Sequence, residues 1–294
     1  MGDKTKIEWT DATWNPLTGC SSVSDGCANC YASRQIRSGR TPAVHGSKDF
    51  SRITIHMSRM HQPLRWRKPK KIFVCSMGDL FHADISDATI GDVFDIMAMA
   101  DHHIFQVLTK RPTRMKELLT RWEVNPGAQP RRTRFDNIYL GVTAENQEMA
   151  DQRIPILLQT QAAVRFVSVE PCLGLVNLMA VRYKKLLRNV EPGIDLPCDV
   201  NIDALTGRFD DGEDIGDTEG KLSWVIVGCE SGPGARPMHE EWARDLVKQC
   251  RAAGVPAFVK QVHRLTPTGK LRVSKDMNEW PEDLRFREFP YDSR

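Results

Sequence analysis

The chain has 294 residues, of which 40% are hydrophobic and 27% are charged. This composition is typical of a globular protein and allows one large α/β domain or two small ones. No apolar run approaches the ~18 residues that a membrane-spanning helix requires, so we expect no membrane-embedded part. The net charge of +3 is too small to indicate nucleic-acid binding by itself.

Three cysteines lie on one short segment in the pattern C-x6-C-x2-C: Cys20, Cys27 and Cys30. A closed tetrahedral metal site normally uses four protein ligands, whereas an iron–sulfur cluster held by three thiolates keeps one iron open for a substrate or cofactor. A structural zinc site with His45 or His56 as the fourth ligand is one alternative, and inert or disulfide-bonded thiols are another. No signal peptide precedes the segment, so we expect a cytoplasmic protein with reduced, metal-bound or catalytic thiols.

Two segments, 52–71 and 110–134, are rich in lysine and arginine. Basic segments of this kind bind a phosphate backbone in some proteins and form a solvated face in others. Both interpretations stay open on the sequence alone.

Short apolar runs alternate with helical patterns over most of the chain. Helices are predicted at 87–100, after the N-cap Ser86, at 145–159, and at 239–253, before Gly254. This alternation predicts a parallel α/β domain, wound or barrel-like. The predicted strands are 71–75, 104–108, 137–142, 164–169, 224–228 and 256–260, all apolar enough to be buried on both faces.

The segment 180–221 interrupts this alternation. It is loop-like and then acidic, with several glycines, and we expect a loop-rich insertion between strands five and six, partly disordered or acting as a lid.

Polar or ionic residues follow each predicted strand. In parallel α/β folds the active site lies at the carboxyl ends of the strands, so these residues are expected to meet at one mouth. One such carboxylate is more often a helix cap than a catalytic group, but a full set predicts a polar ligand site. The residues are Ser76, Gly78, Asp79, Lys110, Arg111, Thr143, Glu145, Asn146, Glu170, Glu230, Arg236 and Lys260.

The three-cysteine segment followed by this βα series resembles the radical S-adenosylmethionine (SAM) enzymes. Their common motif is C-x3-C-x2-C, and the first gap here is longer. The chain also resembles a phage-borne, radical SAM-like family long left as a domain of unknown function, although Cys229 stands where that family often has glycine. The segments that carry this resemblance are 7–16, 19–32, 79–82, 108–112, 169–171 and 230–237.

The resemblance implies a single radical SAM-like domain over 1–294, built as a partial, TIM-like (β/α)6 barrel of parallel strands. It implies reductive cleavage of SAM to a 5′-deoxyadenosyl radical, which abstracts hydrogen from a substrate. The implied substrate is a modified nucleobase or nucleotide, or DNA, as in phage thymidine hypermodification, including rearrangement of a base-linked amino acid by isomerase or lyase chemistry. A flavodoxin or ferredoxin is the implied electron donor.

The resemblance also implies roles by position. Cys20, Cys27 and Cys30 would hold a 4Fe–4S cluster, and the backbone near Val169 and Val227 would flank the adenine. The SAM-binding residues would be Tyr31, Ser76, Gly78, Asp79, Thr143, Glu145 and Asn146. The catalytic residues would be Lys110, Glu170, Glu230 and Lys260, with Arg111 and Arg236 binding the substrate.

Two other functions stay open. The first is a zinc-bound nucleic-acid-binding or adaptor protein without redox chemistry, which would be colourless and would leave SAM intact. The second is a DNA repair lyase resembling spore photoproduct lyase, which would require damaged DNA as its substrate.

Overall fold

The computed structural model describes residues 5–39, 46–125, 135–191, 194–210, 215–218 and 220–290. The helices are α1 (Tyr31–Arg37), α2 (Met57–Met60), α3 (Asp87–Met99), α4 (Pro112–Val124), α5 (Gln147–Leu158) and α6 (Glu240–Ala253). The strands are β1 (Ala12–Trp14), β2 (Leu17–Thr18), β3 (Thr54–Ile55), β4 (Lys71–Val74), β5 (Ile104–Thr109), β6 (Ile138–Thr143), β7 (Val164–Val169), β8 (Val181–Glu191), β9 (Ile194–Asp203), β10 (Arg208–Asp210), β11 (Ile215–Asp217), β12 (Trp224–Gly228), β13 (Ala257–Leu265) and β14 (Leu271–Ser274).

A mostly parallel sheet of eight strands forms the centre of this mixed α/β fold, in the order β1-β4-β5-β6-β7-β12-β13-β14. Every neighbouring pair is parallel except β13 and β14, which are antiparallel. All six predicted strands are present. The sequence did not predict β1 or β14, because three or four residues carry too little periodicity to indicate a strand.

The sheet curves around the indole of Trp9. Its ring centroid lies 4.6 Å from that of Phe73 on β4 and 6.1 Å from that of Trp224 on β12. These strands are four places apart in the sheet, which corresponds to ~19 Å between strands of a flat sheet. One indole can reach both rings only if the sheet bends towards it.

The predicted helices form with the expected ends. Ser86 caps α3 by accepting a hydrogen bond from the Thr89 N–H at 3.2 Å, and Gly254 ends α6 with a φ of 66°. The predicted start at 145 is two residues early, because Asn146 is the N-cap of α5 and accepts from the Met149 N–H at 3.0 Å. None of the described helices combines the length and apolarity needed to cross a membrane.

The segment 180–221 differs from the predicted loop-rich insertion. It follows β7, the fifth parallel strand counting β1, and it contains an antiparallel sheet in the order β11-β10-β9-β8. Its acidic and glycine content indicated loops, but Val181 and Ile202 pair across β8 and β9 and are both buried in the main core. Part of the acidic run, 211–214 and 219, lies outside the described residues.

Candidate functional site

The three cysteines lie on the segment that joins β2 to α1, which we call the cysteine loop (Gly19–Cys30). Gly19 has a φ of 102°, and a Cβ there would lie 2.3 Å from the carbonyl oxygen of Arg52, so only glycine fits this entry to the loop. Cys27 ends a short 3₁₀ helix, and Cys30 occupies the N-cap position of α1. The local backbone structure therefore fixes the positions of two of the three cysteines, Cys27 and Cys30.

A cavity of about 1090 Å³ opens at the carboxyl ends of the parallel strands, and all three cysteines line it. The strand ends bring most of the predicted residues to the same cavity. Glu145, Asn146 and Arg236 are not among its lining residues. The predicted residues that do line it are Tyr31, Ser76, Gly78, Asp79, Lys110, Arg111, Thr143, Glu170, Glu230 and Lys260.

The donor chemistry of the loop suits a cluster held by three thiolates. All three cysteines are unpaired and half-buried. Of the histidines proposed as a fourth zinc ligand, His56 is hydrogen-bonded to Thr18 at 2.8 Å and does not line the cavity, and His45 lies outside the described residues. Across the part of the chain that the structure describes, no three His, Cys, Asp or Glu side chains are gathered closely enough to form a ready metal site.

Two cations flank the thiols. The Nη1 of Arg111 lies 3.6 Å from the Sγ of Cys20, whose burial raises its pKa to about 11. Burial also acts to raise the pKa of Cys27, but the charge of Lys110 and hydrogen bonds from the backbone of Val23 and Ser24 outweigh it, and the pKa is lowered. Lys110 thus favours the thiolate form, which binds metals, at Cys27, whereas at Cys20 burial outweighs Arg111 and favours the thiol.

Asp79, predicted to bind SAM, is buried and occupied by protein donors. It accepts from the Thr109 hydroxyl at 2.8 Å, the Lys110 N–H at 3.1 Å and the Phe81 N–H at 3.0 Å. Arg111 completes the set with an ion pair at 3.2 Å. This carboxylate therefore organises the ends of β4 and β5 and aligns Arg111 with the cysteine loop.

Glu145 holds the cysteine loop from beneath. It is fully buried, forms an ion pair with Arg153 at 2.8 Å and accepts from the Gly26 N–H at 3.2 Å. Burial acts to raise its pKa, but the charges of Lys110 and Arg153 prevail and lower it. Glu145 anchors the loop and its neighbour Asn146 caps α5; their predicted contact with SAM stays a prediction.

Glu230 and Arg236 hold the loop from the opposite side. Their ion pair is 2.5 Å long, and the Arg236 Nη2 also donates to the carbonyl oxygen of Asp25 at 2.9 Å. Asn29 donates to Glu230 at 2.9 Å. Burial raises the pKa of Glu230, but the hydrogen bonds from Arg236 and Asn29 outweigh it and bring the pKa to about 2. Arg236 was predicted to bind substrate, and its guanidinium is committed to the loop.

Glu170 and Lys260 form a fourth ion pair, at 2.5 Å, and both side chains line the cavity. Tyr31 lies nearby and donates its hydroxyl hydrogen bond to the carbonyl oxygen of Ser76. Desolvation of the hydroxyl and the charges of Cys30 and Glu170 raise the pKa of Tyr31, a residue that is 38% exposed as a whole, so the phenol stays neutral.

A family model for DUF5131, described as a protein of unknown function, matches residues 4–288. The chain belongs to the DUF5131 family. A search of curated proteins and a search of solved structures each found no match. The function of this DUF5131 protein therefore has to be argued from its own residues.

Sequence reasoning missed several residues that shape the site of this DUF5131 chain. Trp9 lines the cavity, Asn29 bonds Glu230, and Arg34 donates to the carbonyl oxygen of Ser231 at 2.5 Å. Arg153 neutralises buried Glu145. The position of Asn29 between two cysteines was a usable signal, whereas the partner of Arg34 lies 197 residues away in the sequence. Arg153 is only eight residues from Glu145, but that spacing is not a recognised ion-pair pattern.

Proposed function

We propose that this protein is a radical SAM enzyme in which Cys20, Cys27 and Cys30 hold a 4Fe–4S cluster. The observation that carries the proposal is that all three thiols of one loop line a single cavity at the carboxyl ends of parallel strands. Three thiolates leave one iron without a protein ligand, and that iron is where SAM binds in the enzymes that the sequence resembles.

The finer fold that goes with this proposal is a partial, TIM-like (β/α)6 barrel. The sequential order of parallel strands and the curvature around Trp9 support it. The inner face of the sheet carries a second apolar cluster, which includes Phe73, Phe166 and Trp224 and would keep water from a reactive intermediate.

When bound, the cluster would supply one electron to SAM, giving methionine and a 5′-deoxyadenosyl radical that takes a hydrogen atom from the substrate. The chain's own residues would orient the cofactor and the substrate and shield them from water. Arg111, Glu145 and Arg236 each hold a different point of the cysteine loop. Lys110, which neighbours Cys27, favours its thiolate. Tyr31, Ser76, Gly78 and Thr143 remain on the cavity wall to contact SAM, with the backbone near Val169 and Val227 at the adenine.

The charge of the cavity supports an anionic substrate, such as a nucleotide or DNA. Lys6, Arg37 and Lys110 line it, and within the described ranges none of them has an ion-pair partner. Unpaired cations at a cavity attract phosphate. We therefore keep a modified nucleobase, nucleotide or DNA as the proposed substrate, with a flavodoxin or ferredoxin as electron donor in the cytoplasm. Activity on the free nucleoside but not on duplex DNA would remove DNA from this proposal.

The first experiment measures cofactor content. We expect anaerobic protein reconstituted with iron and sulfide to hold about four irons per chain and to form 5′-deoxyadenosine from SAM with dithionite. Cys27→Ala should lose both properties. Cys250→Ala is the matched control, because Cys250 is buried on α6 and does not line the cavity.

A colourless protein that holds one zinc and leaves SAM intact would overturn the radical SAM proposal and favour the adaptor protein. Iron binding that survives in Cys27→Ala but is lost in Cys250→Ala would show that the cysteine loop is not the site.

A further inference from the structure

Four ion pairs lie near the carboxyl ends of the parallel strands, around the cysteine loop. In three of them a member also bonds the loop: Arg111 donates to Ser21, Glu145 accepts from Gly26, and Arg236 donates to Asp25. These three pairs have a structural task, because they hold the loop in place. The four pairs are Asp79–Arg111, Glu145–Arg153, Glu230–Arg236 and Glu170–Lys260.

The Glu170–Lys260 pair has no such task. Among the described residues, neither side chain makes a hydrogen bond except to the other, at 2.5 Å. Both line the cavity and are mostly buried, with side-chain exposures of 19% and 14%. Gly228 lies beneath them, and a Cβ at that position would lie 3.1 Å from the carboxyl carbon of Glu170. The fold thus keeps room for a charged pair that it does not use to hold itself together.

A mostly buried pair of opposite charges adds little to stability, because the cost of removing both charges from water offsets their attraction. It is suited to bind a ligand that carries both charges. An ammonium group of the ligand would pair with Glu170, and a carboxylate of the ligand would pair with Lys260. Each protein charge would then gain an oppositely charged partner, and the ligand would bring no net charge into the cavity. A ligand with one charge would leave one side of the pair unmatched.

We propose that Glu170 and Lys260 bind a zwitterionic α-amino acid group on the substrate, with its ammonium at Glu170 and its carboxylate at Lys260. This inference rests on the proposed function only in taking the ligand to be the substrate. It assigns the pair to recognition of the amino acid group, through direct contact.

The test uses three 2′-deoxyuridines whose C5 substituent ends in an α-amino acid, an amine or a carboxylate. Their Kd values are measured by titration calorimetry on the full chain, before and after cluster reconstitution. We expect the amino acid probe to bind ~30-fold more tightly than the other two, because a charge left unmatched in a mostly buried site is costly.

The charge-swapped variant E170K/K260E separates recognition from structure, because it keeps an ion pair but reverses its direction. We expect it to lose the preference for the amino acid probe while its Tm and its Kd for SAM stay unchanged. The matched control is R272E/E279R, a swap of an ion pair of 2.8 Å that does not line the cavity. It should keep the wild-type preference.

Single variants cover the case in which the E170K/K260E protein does not fold. Glu170→Gln should make the amino acid and carboxylate probes bind equally, and Lys260→Met should do the same for the amino acid and amine probes. A preference that persists in all three variants, or is absent from the wild type, overturns the inference. A swap that weakens SAM and leaves the probe preference intact overturns it too, because the pair would then bind the methionyl end of SAM.

Failure of this inference is distinguishable from failure of the proposed function. Protein that holds no iron and leaves SAM intact, yet keeps the probe preference and loses it in the swap, would refute radical SAM chemistry and support the amino acid site. Protein that cleaves SAM but shows no probe preference would support radical SAM chemistry and refute the amino acid site.

Discussion

Glu170 and Glu230 show how one residue type at equivalent positions takes different tasks. Each follows the end of a parallel strand. Both line the cavity, but Glu230 is bonded to Arg236 and Asn29, whereas within the described residues Glu170 is bonded only to Lys260. The sequence resemblance predicts both as catalytic, and only their neighbours distinguish a carboxylate that holds the loop from one that is paired with a lysine of the cavity wall.

The lowered pKa of Glu230 makes stability depend on pH. Its pKa is about 2 in the folded protein, below the ordinary value of 4.5, so its contribution is present above about pH 4.5 and is lost as the pH falls towards 2. We expect the free energy of unfolding, measured with urea at pH 6 to 3, to fall less steeply with acid in Glu230→Gln than in the wild type.

Glu123→Gln is the control for this pH series, because Glu123 is exposed on α4. It should follow the wild-type curve. Equal slopes for the wild type and Glu230→Gln would show that the contact of Glu230 with Arg236 does not contribute to the acid sensitivity.

The cysteine loop is the element on which the proposed cofactor depends, and it has little regular structure of its own. Three strand ends hold it through Arg111, Glu145 and Arg236. A loop fixed at several points loses less entropy when it binds a cofactor than a free loop would. The rigidity of the site therefore resides in the sheet.

Gly26 is the point at which this element is most sensitive to substitution. A Cβ there would lie 2.8 Å from the carboxylate of Glu145, which is fully buried and paired with Arg153. We expect Gly26→Ala to reduce the free energy of unfolding by ~1–3 kcal/mol and to lower iron retention after reconstitution, because the loop has to move.

Gly174→Ala is the matched control. Its nearest neighbour would be the Cβ of Asn146 at 3.8 Å, an ordinary contact. Iron content and stability measured side by side should separate the two variants. A Gly26→Ala protein that matches Gly174→Ala in both would show that the contact with Glu145 does not set the position of the loop.

At the scale of the whole molecule, the curvature of the sheet brings the strand ends to one cavity. Trp9 fills the concave face and touches rings on β4, β7 and β12. A nearby ion pair of 2.8 Å between Glu8 and Lys275 joins the N-terminal segment to the end of β14. The segment before β1 thus links the two edges of the sheet.

Trp9 should be the most costly single truncation on this face. We expect Trp9→Ala to lower the free energy of unfolding by ~3–5 kcal/mol, because it leaves a cavity among rings from three strands. Trp9→Phe should cost clearly less, since it keeps an aromatic ring and loses an indole N–H that has no partner in the described part of the chain. Urea unfolding of both variants tests this order, and equal costs would contradict it.

The sequence by itself determined the parallel α/β class, six of the eight strands of the central sheet, the cysteine loop and the set of polar strand ends. These features are local, because apolar runs, helix caps and cysteine spacing can be recognised from a few neighbouring residues. The strands of 180–221 were missed, because their acidic turns masked apolar positions that become buried only against the main core.

Only the tertiary structure decided which polar residues hold the fold and which face the cavity. Glu145 and Glu170 are alike in the sequence, but Arg153 lies beside one and Lys260 beside the other. Lys260 is 90 residues away from Glu170 along the chain. Pairings over such distances depend on the order and curvature of the strands, which short-range patterns do not encode.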